Sequence, residues 1–327
     1  RMFGLTRAAY LWMISRMPRL WKWMYEVSDR RNMAEKPVRG IAPVERLLER
    51  LLREWKPDAV VCTYMVYPYM LDSLASRTGR AVPYLTVVTD SFVINKSWLC
   101  SKSPLWAVTD PWTRAIMEEK GLPQDRLRVT GFPVNPVLGA LAEEHPLSWK
   151  EGEPFRVLYF AQRSARHARA ELAGMLDANP ALHVTCILGR RFRRIYPRIR
   201  DLRARYGRRL TVRGWTRRVP SYLAASHVVV GKAGGATVHE VLAAARPMLV
   251  NFLLPGQEEG NTRLLEKLGG GSHVPDARAL ASALQEMMAD GGAQWRRMHE
   301  NLLRAGMTGG SGRIADLALK LAEEHTN

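Results

Sequence analysis

The chain has 327 residues, of which 46% are apolar, and a formal net charge of +18 at pH 7. That length exceeds one ordinary domain and predicts two, with enough apolar residues for two cores. The three cysteines form no CxxC pair and no His/Cys cluster, which fits a reducing compartment and argues against a structural zinc site. The strong positive charge predicts an anionic partner, either nucleic acid or anionic lipid headgroups.

The segment Tyr10–Tyr25 combines tryptophans with cationic side chains. Its apolar runs are too short for the roughly 20 residues that a spanning helix needs, so we expect no transmembrane segment. Trp and Tyr favour the headgroup level and Lys and Arg attract anionic lipid, which predicts an in-plane amphipathic helix interrupted at Pro18. Ordinary helices packed on the domain are the alternative. The predicted membrane contacts are Trp12, Arg16, Arg19, Trp21, Lys22 and Trp23.

Apolar strand patterns alternate with helical patterns through the first half. This alternation predicts a parallel sheet with helices on both faces. The predicted strands are Asp58–Val66, Tyr84–Thr89, Trp106–Thr109 and Leu127–Gly131, and the predicted helices are Val44–Trp55, Leu71–Arg77 and Pro111–Lys120.

The polar stretch Gly139–Glu153 reads as a linker, and a second series of strands follows it. Next to these strands, Arg190–Arg218 is dense in arginine. It is interpreted as a face touching anionic lipid, as a solvated helix or as a nucleic-acid surface, although no recognised nucleic-acid motif is present. The predicted elements are strands Phe155–Phe160, His183–Leu188 and Leu210–Arg213, a short helix Ser221–Ser226, and closing helices Ala277–Asp290 and Ile314–Glu324.

The most informative stretch is Val228–Asn261. An apolar strand, Val228–Val230, leads through a Gly234-Gly235 pair into a helix, Ala236–Ala245. A second strand and a Pro-Gly break follow. The predicted remainder is strand Met248–Leu254, a polar loop at positions 257–261 and a helix Thr262–Leu268.

A helix that begins at paired glycines is a candidate anion site, because its first N–H groups and the positive end of its dipole point at the ligand. Glu240 lies about 7 Å further along the axis, where a carboxylate can take both hydroxyls of a ribose attached to that phosphate. Gln257, Glu258 and Asn261 follow the next strand, and amides and carboxylates suit sugar hydroxyls. The pattern therefore indicates a nucleotide diphosphate with a sugar attached. A glycine pair by itself is weak, since any α/β protein has strand–glycine–helix turns, and Glu240 alone reads equally as a solvated helix residue.

The string GKAGGATVHEVLAAARPMLVNFLLPGQEEGN resembles the C-terminal nucleotide-sugar motif of glycosyltransferase family 28. It is most similar to the branch of monogalactosyldiacylglycerol synthases and bacterial diacylglycerol glucosyltransferases. The first half resembles the same branch through VVTDSFVINKSW and TDPWTRAIMEEKGLPQDRLRVTGFPVNP.

This resemblance implies the α/β GT-B architecture, in which two Rossmann-like domains with parallel sheets face a cleft. Residues 1–142 would form the acceptor and membrane-side domain, 143–312 the UDP-sugar domain, and 313–327 a closing helix that can cross back to the first domain. The implied activity is inverting transfer of a hexose from UDP-galactose or UDP-glucose to diacylglycerol at the cytoplasmic face of the membrane. It needs no cofactor and no metal, and no nucleic acid is expected.

The resemblance also assigns residues to the donor site. Trp215 or its backbone would meet the uracil. The turn after Phe160 lacks the family's glycines, and Arg163, Ser164 and Arg166 are candidate phosphate contacts there instead. A turn that does not touch the donor is an equal alternative. The donor-binding residues that it implies are Gly214, Trp215, Gly234, Gly235, Ala236, Thr237, Glu240, Gly256, Gln257, Glu258 and Asn261.

The catalytic base is a departure from the family pattern. There an N-terminal strand opens into a glycine-rich loop with a histidine, and nothing of the kind precedes Tyr10. We expect that the chain lacks its first βα unit. All eight histidines lie beyond the predicted first domain, so the best candidate within that domain is Asp90, at a predicted strand end facing the cleft. A residue that only caps the following loop is the alternative.

Other functions stay open at this point. One is another UDP-sugar enzyme of the same architecture, such as a lipid-linked peptidoglycan precursor transferase or a nucleotide-sugar epimerase. A catalytically silent UDP-sugar-binding or lipid-binding protein and a basic nucleic-acid binder are the others.

Overall fold

The computed structural model describes residues 42–144, 147–254 and 256–326. The chain folds into two compact units. The first unit holds the described residues up to Pro133, the segment Leu254–Gly260 and the segment from Gly310 onward. The second unit holds Val134–Leu253 and Asn261–Gly309. The predicted membrane contacts, Trp12, Arg16, Arg19, Trp21, Lys22 and Trp23, lie outside the described residues.

The first unit is built on a four-stranded parallel sheet whose strands run in chain order. Its central strands are buried on both faces, which is why they read as continuous apolar runs in the sequence. The strands are β1 (Val60–Cys62), β2 (Tyr84–Val87), β3 (Leu105–Val108) and β4 (Leu127–Val129), and the helices are α1 (Ala42–Trp55), α2 (Val66–Thr78) and α3 (Pro111–Glu119).

The last helix of the chain, α13 (Gly310–Thr326), belongs to this first unit. Its Ile314 packs in one core cluster with Leu85, Val87 and Ala107 of β2 and β3. Arg313 fixes the start of the helix by donating from Nε to the Thr130 carbonyl at 2.6 Å. The C-terminal helix thus covers one face of the N-terminal sheet.

The second unit is built on a six-stranded parallel sheet with the order β10-β9-β8-β5-β6-β7. Phe155, Val157 and Tyr159 alternate along β5 and pack in one cluster with apolar residues of α5 and α11. The strands are β5 (Phe155–Phe160), β6 (Leu182–Ile187), β7 (Leu210–Arg213), β8 (Val228–Lys232), β9 (Met248–Phe252) and β10 (Gly271–His273). The helices are α4 (Val137–Glu144), α5 (Ala165–Ala178), α6 (Phe192–Ile195), α7 (Arg200–Tyr206), α8 (Val219–Ala224), α9 (Gly235–Ala243), α10 (Gln257–Lys267, whose first residues belong to the first unit), α11 (Ala277–Met288) and α12 (Ala293–Ala305).

The predicted α/β class with two parallel sheets is confirmed, but three local predictions were wrong. The strand predicted over Asp58–Val66 is three residues long, and Val66 begins α2. The first part of the predicted linker belongs to α4, which lies in the second unit. The predicted polar loop at 257–261 is the first turn of α10, where Glu258 and Glu259 suit the positive end of the helix dipole.

The arginine-dense stretch uses part of its charge within the second unit. Arg205 of α7 pairs with Asp177 of α5, with Nη2 3.0 Å from Oδ1. Arg209 donates to the carbonyls of Leu176 and Asn179 at 3.0 and 3.1 Å, which closes the end of α5. Among the helices of the described ranges, none combines the length and the apolar composition that crossing a bilayer requires.

His227 lies inside the aromatic core of the second unit. Its ring stacks on Phe155 at 5.0 Å and meets Trp295 edge-on at 5.3 Å. Its Nδ1 accepts the backbone N–H of Arg156 at 2.8 Å, which requires the neutral ring. Burial, assisted by the charge of Arg156, lowers the pKa of His227 from 6.5 to about 4.

We expect the free energy of unfolding to fall as the pH drops from 6.5 toward 4, because the unfolded chain binds a proton that folded His227 does not. This stability is fully present above the unfolded pKa of 6.5 and is lost as the pH falls through the folded pKa of about 4. The total loss in the free energy of unfolding is on the order of 3 kcal/mol. Denaturant unfolding over this range should show a shallower pH slope for His227→Gln. The exposed control His325→Gln should keep the original slope. An unchanged slope in His227→Gln would contradict a neutral buried ring.

Candidate functional site

The glycine turn at the end of β8 is held by backbone hydrogen bonds to itself and to β9. The N–H of Ala233 donates to the Phe252 carbonyl at 3.2 Å, and the N–H of Gly234 donates to the Lys232 carbonyl at 2.8 Å. Gly234 is the extended N-cap residue of α9 and supplies no side chain to its first amides. Since the first N–H groups of a helix have no intrahelical acceptor, this turn presents donors for an anion.

Lys232 adds a positive charge beside that turn. A Cβ placed on Gly234 would lie 3.5 Å from both Cε and Nζ of Lys232. The ammonium group therefore sits next to the N-terminus of α9, where its charge adds to that of the helix dipole. Lys232 was missing from the residues predicted for the site, although it stands inside the motif that predicted it.

Glu240 lies just over one turn into α9 and is partly buried. Ala236, one turn earlier, is on the same face and exposed, and helical side chains lean toward the N-terminus. Within the described ranges no hydrogen bond or ion pair reaches the Glu240 carboxylate, and burial raises its pKa above 4.5. Helix α9 thus carries an unpaired carboxylate in a partly desolvated place beside an anion-binding N-terminus.

Asn261 supports the turn from α10. Its side chain is buried, and its Nδ2 donates to the Ala233 carbonyl at 2.9 Å. Its Oδ1 is buried and has no partner among the described residues. The prediction placed Asn261 on the sugar, whereas this contact fixes the backbone of the turn that Gly234 ends.

The segment Gly256–Glu258 leads into α10 and lies in the first unit. Gly256 has a φ of +98°, which glycine adopts at little cost. Glu258 was predicted to contact the sugar, but it is buried and its Oε2 accepts the N–H of Leu254 at 2.7 Å. Glu258 therefore fastens the chain entering the helix, and Gln257 is the first helical residue.

Close packing requires a glycine at position 260, which the sequence alone does not reveal. A Cβ on Gly260 would lie 1.9 Å from the Ser91 carbonyl oxygen and 2.8 Å from the Val93 nitrogen. The first turn of α10, which belongs to the first unit, thus packs against the backbone of a loop that follows β2. In that loop the N–H of Val93 donates to the Ser91 carbonyl at 2.6 Å, and Phe92 between them has a φ of +59°.

Asp90 stands at the start of this same loop, and the structure does not leave it open as predicted. Its side chain is 3% exposed, and the indole N–H of Trp98 donates to Oδ2 at 2.7 Å. Asn95 also stabilises this loop, because its Oδ1 accepts the N–H of Ser97 at 2.9 Å. These contacts match the alternative reading, in which Asp90 holds the loop, because a carboxylate so enclosed cannot reach a substrate hydroxyl without a loop movement.

The glycine-free turn after β5 carries Arg163 and Ser164. Ser164 is the N-cap of α5 and accepts the N–H of His167 at 3.4 Å. Arg163 pairs with the buried Glu171 at 3.3 Å and lies over the Phe252 ring, 5.8 Å from its centroid. Sequence reasoning missed Glu171, since a single glutamate in a helix that also carries other charged residues gives no site signal.

Gly214 and Trp215 follow β7, at the outer edge of the sheet. Trp215 is 58% exposed, and the Arg217 guanidinium lies 5.7 Å from its ring centroid. β7 is separated from β8 by β6 and β5, so three strand spacings, roughly 14 Å, separate the two strand ends. A ligand that touched both Trp215 and Gly234 would have to extend along this edge.

No three His, Cys, Asp or Glu side chains in the described ranges gather as a metal site. The groups that do gather at the carboxyl edge of the second sheet are backbone amides, Lys232, Arg163 and Glu240. That set suits a phosphate with neighbouring hydroxyls.

Two domain families match the chain. Residues 3–134 match the family described as monogalactosyldiacylglycerol (MGDG) synthase. Residues 174–310 match the glycosyltransferase family 28 C-terminal domain. The second match contains the whole glycine turn, α9 and the start of α10.

Curated relatives include two enzymes named processive diacylglycerol beta-glucosyltransferase. The one from Staphylococcus carnosus is 25% identical over 252 residues, which covers 76% of this chain and 63% of that enzyme. The one from Bacillus subtilis is 23% identical over 285 residues, covering 85% of this chain and 73% of that enzyme. The chain therefore spans less than two thirds of the first of these relatives.

Solved structures show that the fold is GT-B. UDP-GlcNAc 2-epimerase from Neisseria meningitidis is similar with a TM-score of 0.62 at 14% identity, covering 85% of this chain and 80% of that one. MurG from Acinetobacter baumannii gives 0.60 at 15% identity, with 83% and 76% covered. HepE from Anabaena, solved in complex with UDP, gives 0.54 at 13% identity, with 85% and 82% covered.

We expect Gly260→Ala to destabilise the protein by about 1–3 kcal/mol, because the new methyl group meets backbone that has no side chain to rotate away. Gly312→Ala is the matched control, since a Cβ there meets nothing within 4 Å inside α13. Alanine should leave stability unchanged or raise it at Gly312. Guanidinium unfolding curves measure both changes, and equal stability of the two variants would contradict the close approach at Ser91.

Proposed function

Because this chain belongs to glycosyltransferase family 28, in the branch that carries the monogalactosyldiacylglycerol synthase domain, we propose that it is a hexosyltransferase that makes a glycolipid. The donor in this proposal is UDP-galactose or UDP-glucose and the acceptor is diacylglycerol. The names of the relatives and the UDP in the HepE structure support these two choices.

The observation that carries the proposal is the unpaired Glu240 carboxylate one turn inside α9. A carboxylate held partly buried without a partner is costly, and two ribose hydroxyls would supply the missing donors. The free amides at Gly235–Thr237 and the Lys232 ammonium stand where the adjoining diphosphate would lie. Charge, spacing and donor type thus agree on a nucleoside diphosphate.

In the proposed reaction the acceptor hydroxyl attacks the anomeric carbon, its proton passes to a base, and the bond from that carbon to the diphosphate oxygen breaks. Attack opposite the leaving group inverts the anomeric configuration. Negative charge gathers on the departing UDP, and the α9 amides and the Lys232 ammonium would stabilise that charge. The sugar contact predicted for Gln257 falls on a side chain outside the described ones, and Glu258 keeps the start of α10 in place.

The place of action that we propose is the cytoplasmic face of a membrane, where the protein binds peripherally. The net charge of +18 supports attraction to anionic lipid headgroups. The proposed transfer uses neither a cofactor nor a metal ion, because helix amides and cationic side chains serve as the counter-charge. Nucleic acid has no part in it.

Turnover of UDP-sugar with diacylglycerol vesicles tests the proposal, and UDP titration accompanies it. The proposal expects UDP binding and a glycolipid product that depends on diacylglycerol. Binding of UDP with no product from UDP-glucose or UDP-galactose would instead indicate a UDP-sugar-binding protein. Absence of UDP binding would overturn both.

Glu240→Gln should act on stability and binding in opposite directions. Removing an unpaired, partly desolvated charge should raise the melting temperature, while UDP affinity should drop about tenfold or more with the loss of charge-assisted bonds to ribose. Wild-type affinity should also weaken as the pH falls through the raised pKa of Glu240. Glu266→Gln, an exposed control on α10, should change neither quantity. Unchanged UDP affinity in Glu240→Gln would contradict the ribose contact.

Asp90→Asn separates a holding role from a catalytic one. The asparagine Oδ1 can still accept the Trp98 indole N–H, so a holding role predicts turnover within a few-fold of wild type. A general base at this position would cost about 100-fold or more. Asp90→Ala removes the acceptor as well, and we expect it to lower the melting temperature. A hundredfold loss in a normally folded Asp90→Asn protein would return the base assignment to Asp90.

A further inference from the structure

A buried polar cluster underlies the carboxyl edge of the second sheet, centred on Glu171. The Glu171 side chain is 2% exposed. Its Oε2 accepts the hydroxyl of Tyr159 at 2.6 Å and the Nδ2 of Asn251 at 2.7 Å. Burial, reinforced by the Glu171 charge, raises the pKa of Tyr159 well above 10, so the phenol remains a donor. These two neutral donors leave the charge of the carboxylate to be balanced by a cation.

Arg163 is that cation, and the cluster fixes its position. Its Nη1 donates to Glu171 Oε1 at 3.3 Å and to the Asn251 carbonyl at 3.4 Å. The guanidinium also lies over the ring of Phe252. A guanidinium has five N–H donors, and within the described ranges Nε and Nη2 of Arg163 have no partner. The side chain is 22% exposed, so donors remain open to solvent on a group that cannot swing freely.

The topology puts this fixed group beside the glycine turn. β8 lies between β5 and β9 in the sheet. Arg163 leaves the end of β5 and reaches Asn251 and Phe252 of β9, so its side chain crosses the carboxyl end of β8. Phe252 is the same residue whose carbonyl accepts the N–H of Ala233. Phe252 therefore contacts both the Arg163 guanidinium, through its ring, and the turn before α9, through its carbonyl.

We propose that Arg163 binds the donor diphosphate from the side of β5, and that Glu171 is the positioning residue that holds Arg163 there. This inference rests on the proposed function. The turn at residues 161–164 has no glycine through which backbone could approach a phosphate, so a preset arginine supplies the donors instead. A fixed guanidinium loses little side-chain entropy when a phosphate binds, which makes each bond more effective.

The competing reading is that Arg163 only neutralises Glu171. Both readings predict lower stability when either residue changes, so stability cannot separate them. Comparing the affinity for UDP with the affinity for uridine does separate the two readings, because only UDP carries the diphosphate.

The test titrates UDP and uridine into the whole protein and into Arg163→Met, Glu171→Gln and the double variant. We expect UDP affinity to drop about tenfold in Arg163→Met, with uridine affinity unchanged. Glu171→Gln should reproduce most of that drop, and the double variant should be no weaker than Arg163→Met, since Glu171 acts through Arg163. Arg297→Met, which changes an exposed arginine on α12, is the charge-matched control and should bind UDP like wild type.

Wild-type UDP affinity in Arg163→Met, or equal losses for UDP and uridine, would overturn the inference while leaving the proposed function intact. Failure of the wild-type protein to bind UDP would overturn both together. Should Glu171→Gln not fold, the ratio of UDP to uridine affinity in Arg163→Met still decides the matter.

Discussion

The hydrogen bond from the Ala233 amide to the Phe252 carbonyl sets the geometry on which the proposed site depends. It joins the end of β8 to β9, and the Asn261 amide holds the carbonyl of the same Ala233. With both backbone groups of Ala233 engaged, the start of α9 is fixed relative to the sheet before any ligand arrives. Preset donors of this kind need no reorganisation when charge develops on a leaving group, which is where they assist catalysis most.

Two charged groups near that turn are left incompletely satisfied, and this is more informative than the turn alone. Glu240 has no partner among the described residues, and Arg163 uses only one of its nitrogens within the same ranges. A fold selected for stability alone would pair such groups or replace them. Groups of opposite charge, held apart at one sheet edge, match a ligand that itself joins an anionic diphosphate to a hydroxyl-bearing sugar. The support for function thus comes from two charged groups, Glu240 and Arg163, whose hydrogen-bonding capacity is not used up by the described residues.

Much of this fold could be predicted from the sequence because its parallel strands are buried on both faces. The apolar runs of β2 and β8 were recognised as strands, and Phe155–Phe160 and Leu210–Arg213 have the bounds predicted for them. Glu240 and the glycine turn were predictable because they lie close in sequence on one strand–turn–helix unit. The contacts of Asn261, Glu258 and Asp90 with Ala233, Leu254 and Trp98 could not be predicted, because they are set by packing that residue type does not report. The helix at Gln257 was hidden by a polar sequence that suits a loop equally well.

The most direct measurement is a crystal structure of the protein with UDP bound. The account predicts density for the diphosphate at the N-terminus of α9, within hydrogen-bond distance of the Gly235–Thr237 amides, and for the ribose hydroxyls at Glu240. A nucleotide lodged elsewhere on the molecule, with the mouth of α9 empty and Glu240 without a ligand, would contradict it.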